Sequence, residues 1–308
     1  MPENIALNRR KRAAWAERER RRMFWWFASP WVFGLLAFTF FPLGLSLYLS
    51  FTEYNFSQPP VFVGLSNYIG LFSDPVFIKS VTLTVIYTVI FVPCAVALSL
   101  WIAVLLDGNS FVQRFTKILV YAPTTITSVV VGWLWLWILN PTYGVINNVL
   151  GWFHIAGPDW TMDQSWLMVG IVLLSLWSST GTNMIIYLAA LQNVPNSLKE
   201  AAGLDGANGW RVFRHVVFPL LGPVTIFVVI NAIIGALQIF TPIFIMTGGG
   251  PNYDSEFYVL DLYQTAFQSF NFGKAAAMSW LLLIVFAVVT IWFFSYLSRH
   301  SYDELSQQ

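Results

Sequence analysis

The side chains able to do chemistry in this sequence are uncharged amides and hydroxyls set at helical spacing in long apolar runs; no Asp, Glu, Lys, Arg or His lies well inside those runs. Thr180, Asn183 and Tyr187 fall at i, i+3 and i+7, hence on one helical face. Asn231, Gly235, Gln238 and then Thr241 or Pro242 repeat the pattern, and Thr124, Thr127 and Ser128 form a third group. Such groups beside aromatic rings offer hydrogen bonds to the rim of a sugar and a stacking surface for its apolar face. Asn183, Asn231 and Gln238 are the central candidates for a solute pathway, with Thr180, Tyr187 and Thr127 beside them. The competing use of each is a hydrogen bond between helices with no solute involved. Trp133, Trp135, Trp137 and Trp177 read as interface belt or packing.

Other chemistries find no support. The three histidines, His154, His215 and His300, stand far apart, and neither HExxH nor another metal spacing occurs. No GxxxxGK[ST] phosphate loop is present: Gly273-Lys274 is followed by Ala275. No catalytic cluster and no metal site emerges, so an enzyme is not expected, and any ATP would have to be bound by another chain. The single cysteine, Cys94, excludes an intrachain disulfide. Proton- and ion-coupled transporters usually carry ionisable groups within their spans, and these are missing here.

The elements that must position the amides are set by composition. The chain has 308 residues, 57% hydrophobic and only 10% charged, against roughly 25% charged in a soluble domain. A bilayer core of roughly 30 Å needs about 20 apolar residues in a helix, and segments near 24–51, 79–106, 115–139, 166–192, 216–247 and 275–298 meet this. Backbone groups in lipid must be satisfied within the segment, so the expectation is an all-α membrane protein of six transmembrane helices. Pro42, Pro93, Pro123, Pro219, Pro223 and Pro242 would kink or bound them. The first apolar stretch is too long for a signal-peptide core and lacks a cleavage site, so it reads as a retained span.

Eight of the sixteen Lys and Arg lie between Arg9 and Arg22. With six spans, that run shares a side with Arg114, Lys117, Lys199, Arg211, Arg214 and Arg299, leaving only Lys79 and Lys274 opposite. The positive-inside rule then puts both termini in the cytoplasm. The basic run is read as membrane orientation, not nucleic-acid binding. The expected organisation is a basic segment at 1–23, a permeating domain at 24–298 and a cytoplasmic tail at 299–308.

Between the fourth and fifth spans, residues 193–219 are too polar to cross. Ser197 with Glu200 three residues on predicts a capping box, and Leu198, Ala201, Ala202 and Leu204 an apolar face. Gly206 and Gly209 interrupt the pattern before Trp210, Val212, Phe213 and Val216 resume it. The expected object is a short amphipathic helix, a glycine turn and a helix rising into the membrane, suited to a groove on a soluble partner.

Glu200-Ala201-Ala202, three residues, Gly206, nine residues, Val216, one residue and Phe218-Pro219 resembles the EAA loop of ABC importer permeases, with Val216 and Phe218 as conservative departures. The outer loops resemble the carbohydrate-uptake branch related to the maltose and glycerol-phosphate systems: Phe62-Val63-Gly64-Leu65-Ser66-Asn67-Tyr68 with Asp74-Pro75, the run Asn140-Pro141-Thr142-Tyr143-Gly144, Thr247-Gly248-Gly249-Gly250-Pro251, and Tyr263-Gln264-Thr265-Ala266-Phe267 with Phe272-Gly273. The resemblance covers about residues 24–298.

It implies the type I ABC importer permease fold in a bacterial or archaeal cytoplasmic membrane, with Glu200, Ala201, Ala202, Gly206 and Pro219 in a coupling helix seated on an ATPase. The implied partners are a second homologous permease, two copies of a cytoplasmic ATPase holding ATP and Mg, an external solute-binding protein and membrane lipid; this chain itself would hold no cofactor. The near absence of outer basic residues favours a neutral oligosaccharide over an anion; the alternative substrate is glycerol phosphate or a related polyol. The alternative class is an autonomous secondary transporter or channel.

Overall fold

A computed structural model describes residues 19–20 and 22–305; most of the basic N-terminal run and the last three residues lie outside the described residues. Five helices are long and apolar enough to cross a membrane, or up to six if one bent pair counts as a single span. They are α1 (Arg22–Ser50), α3 (Pro75–Leu105), α7 (Gln164–Gln192), a helical stretch over Gly222–Met246, and the opening of α13 (Phe272–Leu305). Shorter helices join them: α2 (Ser66–Leu71), α6 (Val145–Trp152), α8 (Asn196–Leu204), α9 (209–220) and α12 (Tyr258–Phe267). The chain is not wholly helical. A two-stranded antiparallel ribbon pairs β1 (Thr52–Glu53) with β2 (Val61–Phe62), Thr52 opposite Phe62.

Prolines decide where the long helices deform. Proline lacks an N–H and its ring clashes with the carbonyl four residues back. Accordingly Leu36–Phe40 and Phe213–Val217 widen into π-helical turns just before Pro42 and Pro219. The segment expected as one span over 115–139 is instead α4 (Phe111–Tyr121), a 3₁₀ turn at Ala122–Thr125 that contains Pro123, and α5 (Ser128–Ile138), with a bend of 105°. Thr124 and Thr125 donate to the carbonyls of Tyr121 and Ala122 at 2.7 and 2.8 Å, holding the bend. The segment expected at 216–247 is likewise broken into α10 (Gly222–Leu237) and α11 (Thr241–Met246), the latter led by Pro242. Pro93 is accommodated inside α3 without interrupting it.

The central packing is α3 against α7. Gln164 borders the same groove as Pro75, Ile78 and Lys79; Tyr87 and Phe91 pack with Leu167 and Ile171; Ala103 and Leu106 pack with Leu188 and Leu191. The two helices therefore run parallel, and residues 106–163 must return the chain the length of the bundle. Asp74 and Asp163 cap the starts of both, accepting from Val76 N and Ser165 N at 2.9 Å.

Loops 51–74 and 248–274 meet at one end. Asn67 donates to the carbonyls of Ser50 and Thr52 at 2.9 Å, and Phe272 N to Tyr54 O at 2.9 Å. Lys79 pairs with Asp254 at 2.6 Å, and Lys274 with Asp74. At the other end Leu106, Leu191, Val194, Val217 and Leu221 form an apolar plug. Trp26, Phe27, Trp31 and Phe33 of α1 are exposed, as suits a helix whose solvent is lipid.

Candidate functional site

Two features of the sequence reading come to definite places: a cavity between the helices and the 193–219 loop. The cavity measures about 480 Å³ and is walled by α3, α7, α10 and the bent pair. Asn183 of α7, Asn231 of α10 and Gln238, at the break after α10, all line it. Gly235 sits between the latter two with nothing within 4 Å of where a Cβ would stand, so the glycine widens the cavity. Tyr87, Phe91 and Phe240 supply aromatic wall. Among the described residues no charged side chain lines it.

The amides are available. Asn231 donates to Phe227 O of its own helix at 2.8 Å, which leaves its carbonyl oxygen uncommitted. The side chains of Asn183 and Gln238 make no hydrogen bond among the described residues. Ser178 and Ser179 spend their protons on the carbonyls of Leu174 and Ser175 at 2.9 and 2.8 Å and present lone pairs. The wall is therefore rich in acceptors with a few amide donors, a surface for hydroxyl groups. The run Ser175, Ser178, Ser179, Thr182 and the rings of Tyr87 and Phe91 belong to this wall and were not singled out from sequence. Helical spacing to Asn183 was a usable signal for the serines; nothing local distinguished the rings.

Three other candidates do not reach the cavity. Thr180 is buried and donates to Leu176 O at 2.5 Å. Tyr187 is 0% exposed in the apolar plug, its hydroxyl facing that of Thr225 with neither in hydrogen-bond geometry with a partner. Thr127 is exposed between two lining residues, Ile126 and Ser128. Spacing put Thr180, Asn183 and Tyr187 on one helical side, but that side is about 10 Å long at 1.5 Å per residue, and only its middle meets the cavity.

In the loop, α8 begins at Asn196 with Pro195 as N-cap, so Ser197 lies inside the first turn and the capping box expected between Ser197 and Glu200 is not formed. Pro195 supplies the stop-start instead, since the N–H that proline lacks is not needed at the start of a helix. The helix ends at a glycine the geometry requires: Gly206 has φ +80, with Gly206 N bonded to Gly203 O at 3.1 Å and Ala207 N to Ala202 O at 3.0 Å. Asn208 then caps α9, accepting from Arg211 N at 2.9 Å. Glu200 and Ala201 are exposed and Ala202 is half-buried. Leu198, Leu204 and Trp210 are 44, 91 and 66% exposed, so the apolar side of this helix-turn-helix is left uncovered by its own chain. Pro219 sits in the final turn of α9, below the π-helical turn that connects the loop to α10.

The end where loops 51–74 and 248–274 meet carries the most perturbed carboxyls. Glu256 is 1% exposed; burial, with the charge of Asp261 adding, raises its pKa to about 7 against the hydrogen bond from Gln264. Burial also raises Asp261, although Ser80 donates to it at 3.0 Å. Burial raises Asp74 too, but hydrogen bonding and charge from Lys274 together with Val76 N overcome that and hold it below the usual range.

Residues 65–301 match the family of binding-protein-dependent transport system inner membrane components. Similar proteins include the probable ABC transporter permease protein YesP of Bacillus subtilis, 36% identical over 273 residues, 86% of this chain and 87% of that one. Another is the probable starch degradation products transport system permease protein AmyD of Thermoanaerobacterium thermosulfurigenes, 28% identical over 87% of this chain and 91% of that one. Among solved structures, a bacterial ABC transporter involved in the import of the acidic polysaccharide alginate superposes with a TM-score of 0.81 at 21% identity, covering 93% of this chain and 98% of that one. The resemblance carried by Glu200 to Pro219 and by the outer loops is thus borne out: the chain belongs to the family of binding-protein-dependent transport system inner membrane components and is a multi-pass ABC importer permease.

Proposed function

We propose that the protein is the permease subunit of an ATP-driven importer for a neutral oligosaccharide and forms half of the translocation pathway. The observation that carries this is the cavity: Asn183, Asn231 and Gln238 converge with Tyr87, Phe91 and Phe240 around about 480 Å³ that no charged side chain among the described residues lines. An anion would be stripped of water there without a cation to meet it, whereas hydroxyl groups exchange water for amide and hydroxyl partners. The starch-degradation-product relative points the same way. The glycerol-phosphate alternative and the acidic cargo of the alginate importer call for positive charge that a second subunit would have to bring.

On this reading the membrane is crossed six times with both termini in the cytoplasm. The parallel course of α3 and α7 supports it, because the intervening bent pair must return the chain across the bundle, and the distribution of basic residues agrees. The exposed apolar side of 193–219 is the coupling surface for a partner ATPase, which binds ATP and Mg. Glu200, Ala201, Ala202, Gly206 and Pro219 would pass ATPase closure to α7 and α10. A second homologous permease completes the pathway, and an external solute-binding protein delivers cargo to the end bearing Lys79 and Lys274.

Uptake by cells expressing the complete transporter tests both halves. Labelled maltotriose, cellotriose and xylotriose are compared with glycerol 3-phosphate; at least one neutral sugar should accumulate and the phosphate should not. Accumulation of the phosphate alone would overturn the neutral-cargo reading. Glu200→Ala should retain the assembled complex while losing sugar-stimulated ATP hydrolysis; unchanged stimulation would remove the loop from coupling.

A further inference from the structure

Six aromatic rings run without a break from the outer rim to the cavity. Phe56, on the turn after β1, meets Phe272 with centroids 4.5 Å apart; Phe272 meets Phe267 at 6.1 Å, and Phe267 meets Tyr263 at 5.2 Å. Tyr263 meets Phe244 at 5.4 Å and Phe240 at 5.1 Å, and Phe240 is a wall of the cavity. None of the six belongs to the buried core: Phe56 is 66%, Phe267 58% and Phe244 41% exposed, and Phe272, Tyr263 and Phe240 are half-buried. The rings come from four separate parts of the chain, the 51–60 turn, α12, α13 and the α10–α11 segment, so helical periodicity does not account for their alignment.

The outermost ring is held at a backbone cost. Phe56 has φ +61, a left-handed conformation uncommon for a bulky residue. Its neighbourhood is fixed by the bond from Phe272 N to Tyr54 O and by the ribbon of β1 with β2. The chain thus holds an exposed ring edge-on to Phe272, at an interplanar angle of 85°, where a glycine turn and a free loop would have been easier to build.

We propose that these rings are a loading track, along which a pyranoside presented at the outer face stacks ring by ring until it reaches Asn183, Asn231 and Gln238. The proposal rests on the carbohydrate reading above. A pyranose with equatorial hydroxyls has C–H-rich faces and a polar rim. On exposed rings it can stack a face while the rim stays in water, so no step strips its hydroxyls before the cavity amides replace the water. An aliphatic surface of the same shape would serve lipid or a protein neighbour equally well, but it would not hold a sugar. The track therefore selects gluco-configured neutral sugars, and both a free anion and a sugar with an axial, polar face should move along it poorly.

Phe267→Leu and Phe56→Leu keep apolar bulk and remove the ring. In the complete transporter, the initial uptake rate of whichever neutral trisaccharide the wild type accumulates should fall about three- to ten-fold at sub-saturating sugar, with subunit composition and basal ATPase activity unchanged. Phe267→Trp should restore most of the rate. Leucine variants that import at the wild-type rate would overturn the track. So would uptake lost together with subunit retention, which would make the rings a permease–permease contact. Failure of the wild type to accumulate any sugar of the panel is a different result, one that removes the carbohydrate reading itself.

Discussion

The two ends of the bundle are finished differently. At the outer end the chain closes on itself: Asn67, Tyr68, Lys79, Tyr258 and Lys274 all bond across loops, and Ser255, Glu256 and Asp261 are buried. At the inner end the 193–219 loop has well-formed backbone caps, at Gly206 and Asn208, but leaves Leu198, Leu204 and Trp210 in the open. These bonds tie the end together within one chain and hold a fixed shape, although Glu256 Oε1 is buried there without a hydrogen-bond partner. An apolar side without a cover is stable only against something else. The contrast teaches that one end is built by contacts within this subunit, whereas the other leaves an apolar side that, on the function proposed above, a partner covers.

Gly206→Val breaks the open end most severely. A β-branched residue at φ +80 is strained even though there is open space around the position. The turn between α8 and α9 should re-form with Glu200 and Trp210 misaligned. ATP-driven uptake is expected to fall about five- to thirty-fold, the factor that roughly 1–2 kcal/mol of backbone strain produces, while thermal unfolding of the outer end stays near wild type. Equal loss of thermal stability would mean that the two ends are not independent.

Asp74→Ala is the corresponding break at the outer end. It removes the N-cap of α3 and the partner of Lys274 together. Cap loss alone costs roughly 0.5–2 kcal/mol, so a melting temperature lower by a few degrees is expected in detergent, with ATPase coupling intact. If coupling falls with stability, the outer network is part of the transmission path.

How much of this was legible depended on how local the cause was. The apolar runs and the basic residues each speak for themselves, so the long helices and the EAA-like spacing could be read directly. Asn183, Asn231 and Gln238 were legible because an amide in an apolar run is costly without a use. Tyr187 and Thr180 were grouped with them because spacing fixes a face but not how far along the helix a cavity extends. The 105° bend after Thr125 and the break at Gln238 were half legible, since Pro123 and Pro242 mark a deformation without giving its angle. Ser197 looked like a cap, but Pro195 started the helix two residues earlier. The aromatic track was invisible, since its rings meet only once residues more than two hundred positions apart are folded together.

Smaller effects sharpen the outer end further. Glu256, with a pKa raised to about 7 from 4.5, holds its proton more tightly folded than unfolded. Stability should therefore fall as pH rises from about 4.5 to about 7 and level off above, because the unfolded chain binds fewer protons across that window. Glu256→Gln should flatten this slope and raise the melting temperature at pH 8, measured on the purified complex; Asp261, shifted the same way, keeps part of the slope. A wild-type melting temperature that climbs over this window would show Glu256 to be ionised and paired instead.

The smallest change is expected at Lys79. Its pair with Asp254 spans 2.6 Å, yet its side chain is 35% exposed, and exposed ion pairs contribute roughly 0–1 kcal/mol. Lys79→Ala should shift the melting temperature by no more than about a degree or two, less than Asp74→Ala by a clear margin. The ordering matters more than either value. Asp74 caps a 31-residue helix as well as pairing with a lysine, while Lys79 tethers only the 252–254 turn. If the two substitutions prove equal, the rigidity of the outer end comes from its ion pairs and not from the caps and backbone bonds that fix where α3 begins.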